Sequence, residues 1–61
     1  MLEKIFNFHE AVKQLTTMVE KLSDDKTVWI QRGLVYLNLG NFELAIQDFS
    51  EAERIINRDK D

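Results

Sequence analysis

The segment Asn7-Phe8-His9-Glu10-Ala11-Val12 returns 34 positions later as Asn41-Phe42-Glu43-Leu44-Ala45-Ile46. At the same offset Leu15 falls on Phe49, Thr16 on Ser50, Leu22 on Ile56 and Asp25-Lys26 on Asp59-Lys60. Identities and same-volume exchanges gather on apolar positions, as a structural repeat requires. A unit of this length is one supersecondary piece that cannot bury its apolar face alone and has to stack on a neighbour. The 61 residues leave room for one complete unit, about residues 26–59, preceded by the second half of another in residues 1–23. The chain is therefore expected to be a single domain over 1–61, residues 1–23 supplying a half-repeat or capping helix.

The apolar spacing inside each unit is helical. Ile5, Phe8, Val12, Leu15, Val19 and Leu22 advance by three and four residues in turn, which sets them on one helix face, with Ala11 and Met18 widening the stripe. Ser23-Asp24-Asp25 interrupts that series, and either aspartate can cap a second helix starting near Lys26. This second helix, to about Leu39, carries Val28, Trp29, Ile30, Leu34, Val35, Tyr36, Leu37 and Leu39 around most of its circumference. Such a helix lies between neighbours or exposes an adhesive face. Gly40 is placed to end it in the left-handed conformation, and Asn41 to cap a third helix directly afterwards. Neither flank alternates with period two, so Gly40-Asn41 joins a helical hairpin and not a β-hairpin. In the third helix Phe42, Ala45, Ile46, Phe49, Ala52 and Ile56 share a face. Its acidic Glu43, Asp48, Glu51 and Glu53 precede Arg54 and Arg58, an order that suits the helix dipole and a solvated outer face. The expected fold is all-α: three antiparallel helices, a helical hairpin plus one additional helix.

Composition closes off several function classes. Cysteine is absent, which removes disulfides, thiol nucleophiles and thiolate metal sites. Eleven acidic against 8 basic residues give a net charge of −3, the wrong sign for a nucleic-acid footprint. No apolar run is long enough for a membrane span or signal peptide, and a cytoplasmic, soluble protein is expected. His9 is the only histidine. Glu10 beside it points elsewhere on a helix, so the two form no dyad, and no metal-ligand constellation, phosphate loop or nucleophile elbow accompanies them. No enzyme activity, metal or cofactor is expected.

Trp29, Gly33 and Tyr36, followed by Ala45, Phe49 and Ala52, resemble the landmark series of the tetratricopeptide repeat, with Gly40 and Phe42 where that family turns between its helices. The spacings Trp-x3-Gly-x2-Tyr and Ala-x3-Phe-x2-Ala both agree. Two positions depart: Arg32 replaces the usual Leu before Gly33, and Asn57 replaces the usual Pro near the end of the second helix of the unit. Arg32 is expected to pack its stem and hold its head in water. Gly33 and Ala45 are expected to let the hairpin helices approach closely while Trp29, Tyr36 and Phe49 fill the space around them.

The resemblance implies about one and a half repeats and a non-catalytic scaffold or adaptor whose first repeat helix lines a groove for a partner peptide or helix. The matching positions are Thr27, Ile30, Gln31, Leu34, Leu37 and Asn38. Some members grip acidic chaperone tails with a clamp of Lys, Arg and Asn. Here Thr27, Ile30, Gln31 and Leu34 offer no cation, so the implied protein partner is an amphipathic helix or apolar segment. One and a half units also leave apolar faces short of neighbours, so a homo-oligomer, with self-assembly as the alternative function, is a second expectation.

Overall fold

The computed structural model describes residues 7–60, and the predicted first apolar position, Ile5, lies outside them. Three helices follow in chain order: α1 (Phe8–Lys21), α2 (Lys26–Asn38) and α3 (Phe42–Arg58), with no strand among the described residues. Each helix begins where a short polar side chain takes over an orphan backbone donor. Asn7 accepts from the Glu10 N–H at 3.1 Å, Asp25 from the Thr27 N–H at 3.0 Å, and Asn41 from the Leu44 N–H at 3.5 Å. Asn7 and Asn41, 34 positions apart, thus cap α1 and α3 in the same way.

Gly40 ends α2 with φ of 79°, a left-handed conformation that favours glycine. Its N–H donates to the Leu37 carbonyl at 3.0 Å and the Asn41 N–H to the Tyr36 carbonyl at 2.9 Å, the paired bonds of a Schellman turn. No longer loop is needed, so α3 folds straight back on α2.

α2 is the central element. It packs against both α1 and α3, whereas no Cα atom of α1 comes within 8 Å of one in α3. The result is a layer of 46 × 22 × 16 Å, little more than one helix thick. Its core is correspondingly thin: Val19 on α1, Val28 and Gly33 on α2, and Ala45, Ala52 and Ile55 on α3.

Thinness accounts for several departures from the sequence reading. Phe42 and Ile46 are each 62% exposed and Ile56 is 44% exposed, although all three share the predicted apolar face of α3. With α2 as its single neighbouring helix, α3 buries the arc Ala45, Asp48, Ala52, Ile55, and the flank bearing Phe42, Ile46 and Ile56 meets no other described helix. Met18 and Leu22, assigned to the buried stripe of α1, are exposed for the same reason.

Candidate functional site

The α2–α3 hairpin is set by one close approach. A Cβ built on Gly33 would stand 2.6 Å from Cε1 and 2.9 Å from Cδ1 of Phe49, inside any contact that carbon atoms tolerate. Ala45, with no exposed surface, allows the same closeness from the α3 side. Small residues on both helices therefore fix the register, and the half-buried Phe49 ring fills the remaining space.

Arg32 occupies the opposite side of that contact. Its Nε donates to Asp48 Oδ2 and its Nη2 to Asp48 Oδ1, both at 2.8 Å, while Nη1 donates to Thr16 Oγ1 at 3.2 Å. One guanidinium thus ties α2 to both neighbours. The carboxylate is almost wholly enclosed, with 4% of its side chain exposed against 16% for Arg32. The rings of Trp29 and Tyr36, one turn to either side on α2, lie 5.3 and 5.5 Å from the guanidinium carbon, within reach of cation–π attraction. Trp29 in turn donates its indole N–H to the Ser23 carbonyl at 2.8 Å, fastening the α1–α2 turn.

This corrects two expectations: Arg32 does not place its head in water, and Asp48 does not belong to the solvated face of α3. The Asp48 hydrogen bond, partly opposed by desolvation, raises the Arg32 pKa above its ordinary value. A raised folded-state value contributes stability that is present at all pH below the unfolded value and is lost only on rising through the folded one. The guanidinium therefore stays charged until strong alkali. The other acidic residues of α3 behave as a solvated face: Glu51 pairs with Arg54 along the helix, and Arg58 bonds Asp59 at 3.1 Å and, across to the α1–α2 turn, Asp24 at 3.0 Å.

With both edges and one side of α2 occupied, its remaining side is open. Thr27, Gln31, Leu34, Leu37 and Asn38 are exposed there, and Ile30 is half-buried at the margin. Leu34 is 49% and Leu37 40% exposed. Asn38 uses its side-chain N–H to bond the Leu34 carbonyl at 2.9 Å, within its own helix. His9 and Glu10 are both exposed on α1. Among the described residues no group of His, Asp and Glu is placed to hold a metal ion, and no helix is long and apolar enough to cross a membrane.

The buried ion pair is what sequence reasoning missed. A signal for Asp48 was present: it stands three residues after Ala45 and four before Ala52, inside the buried stripe. Arg32 likewise stands three residues from Trp29 and four from Tyr36, on the face those rings occupy.

Comparison with known families agrees with this architecture. Residues 27–56, spanning nearly all of α2 and most of α3, match the family model of the tetratricopeptide repeat. No curated protein and no solved structure gives a match to the chain. Repeats of this family are non-catalytic modules that mediate protein–protein interaction and bind proteins or peptides. The hairpin of α2 and α3, closed by Gly33 against Phe49, is a tetratricopeptide repeat.

Proposed function

We propose that this chain is a non-catalytic adaptor that grips a peptide or helix of a partner protein along the outer side of α2, with α1 serving as the second helix of a preceding repeat. The observation that carries the reading is the exposure of Leu34 and Leu37 on a helix already flanked on both sides. Ordinary core residues of α2 would have been covered by α1 or α3. Leu34 and Leu37, one turn apart beside the half-buried Ile30, form an apolar strip bordered by Thr27, Gln31 and Asn38, which supply hydrogen-bonding groups at its edge. The strip carries no cation, so its ligand is an apolar or amphipathic segment and not an acidic tail. The Arg32 network holds α2 rigidly from behind, which limits the ordering a ligand has to impose.

Selection from a displayed library of amphipathic helical peptides tests the reading. Ligands selected on the native chain are expected to lose affinity by about tenfold or more for Leu34→Asp, since burial of one leucine is worth roughly 1.5–3 kcal/mol. Helicity should be unchanged, because Leu34 lies outside the core. Ligands indifferent to Leu34→Asp would refute the strip. A chain that sediments as a dimer without peptide, and as a monomer after that substitution, would assign the strip to self-assembly instead.

A further inference from the structure

Two of the three helices carry charges that match both ends of their own dipoles. α1 has Glu10 in its first turn and Lys21 in its last, and α3 has Glu43 and Arg58 in the same places. α2 begins on the carboxylate of its cap, Asp25, but has no basic residue in its last turn, where the negative end of its dipole lies. No cation follows nearby in the chain: residues 33–53 hold Glu43, Asp48, Glu51 and Glu53 and no Lys, Arg or His. The basic residue just before them, Arg32, is engaged by Asp48 and Thr16. Asp48 pairs with Arg32 and Glu51 with Arg54, whereas Glu43 and Glu53 are exposed and make no ion pair among the described residues. The uncompensated end of α2 is also where its outer strip stops. Asn38 is exposed there with Leu34 and Leu37. Its amide nitrogen donates to the Leu34 carbonyl at 2.9 Å, which leaves Oδ1 as an acceptor with no partner among the described residues.

We propose that the partner segment gripped by the outer side of α2 is an amphipathic helix carrying a Lys or Arg one turn beyond the apolar residues that cover Leu34 and Leu37, where it meets Asn38 and the C-terminal end of α2. The inference rests on the outer strip of α2 being the docking surface, and adds the charge of the ligand and its place. A neutral donor would satisfy the Asn38 oxygen but leave the dipole unmatched; a cation answers both. With a rise of about 1.5 Å per residue, Asn38 lies about 6 Å past Leu34 along α2, so the cation belongs three or four residues from the ligand residue that covers Leu34. A ligand therefore docks in the direction that brings its basic end towards Gly40, and a segment with an acidic residue at that place is rejected by the same charges.

The probes are amphipathic helical peptides selected by display on the native chain, with the residues beyond both ends of the apolar stripe fully randomised. Lys or Arg is expected to be enriched beyond one end of the stripe among ligands that Leu34→Asp weakens. One such peptide, fluorescently labelled, is titrated into the chain by anisotropy beside the same peptide with its basic residue exchanged for Gln. The Gln peptide should bind about fivefold more weakly at low ionic strength, and the difference should shrink in concentrated salt. Asn38→Lys supplies the missing cation from within α2 and should abolish the preference with helicity retained, since Asn38 is exposed. Ligands that need Leu34 yet carry no basic residue at that place, that bind equally well after the Gln exchange, or that keep their preference on Asn38→Lys would overturn this inference and leave the α2 strip standing. Absence of any enriched ligand, indifference to Leu34→Asp, or a dimer of the chain alone that Leu34→Asp dissociates would overturn the strip and this inference with it.

Discussion

Replacing Asp48 with alanine is expected to lower the stability of the chain by about 3 kcal/mol, because it strands the Arg32 guanidinium among α1, α2 and α3 without its carboxylate. At roughly 0.05–0.15 kcal/mol per residue, a chain of this size has only about 3–9 kcal/mol in total. Thermal melting by circular dichroism should therefore show a midpoint lowered by about 15 °C, or a chain largely unfolded at room temperature. Arg32→Met alone should be similarly harmful, since it leaves the Asp48 carboxylate enclosed and unpaired. The double variant Arg32→Met/Asp48→Leu is expected to recover to within about 1 kcal/mol of the native chain, because apolar residues of similar volume replace a buried pair at little net cost. An unchanged midpoint for Asp48→Ala would show that the pair is not buried. A double variant no better than either single one would show that the two residues act independently.

The second large effect is expected at Gly33. Leucine there should destabilise by about 3 kcal/mol, at the upper end for overpacking, because its Cβ alone already overlaps the Phe49 ring. Alanine is a closer contest. It gains about 1 kcal/mol in helix propensity and loses that or more by displacing a ring that is only half-buried, so a change of no more than about 1 kcal/mol is expected. The clash has a single named partner, so Phe49→Leu in the Gly33→Leu background should restore part of the loss, with a coupling of about 1 kcal/mol or more. Ala45→Leu should be as harmful as Gly33→Leu, since Ala45 is fully enclosed at the same hairpin. Additive effects of Gly33→Leu and Phe49→Leu would place these residues apart.

Local chemistry made most of the fold legible in the sequence. Asn7, Asp25 and Asn41 cap helices through bonds spanning two or three residues, and Gly40 stops α2 by its own backbone freedom, so nothing distant is needed to read them. Gly33 and Phe49 were legible as landmarks at fixed spacing. What stayed hidden depends on neighbours. Apolar periodicity gives the face of a helix but not whether an element covers it, which is why Phe42, Ile46 and Ile56 read as core and yet are exposed. Arg32 and Asp48 are 16 residues apart, and each alone reads as a surface charge; only the folded hairpin brings them to 2.8 Å. The outer strip of α2 shows the reverse case. Thr27, Ile30, Gln31, Leu34, Leu37 and Asn38 are the positions that the family resemblance implies, and five of the six are exposed with Ile30 half-buried.

The proposed docking strip of α2 depends on the rotation of α2 against α3, and that rotation is defined by where Gly33 meets Phe49. The direct test is a proton NMR measurement of the Gly33 α-protons. If the helices pack as described, these protons show nuclear Overhauser contacts to the Phe49 ring and a ring-current shift that disappears in Phe49→Leu. Gly33 α-protons at ordinary shifts, with no contact to Phe49, would contradict the hairpin register and remove the basis for the α2 strip.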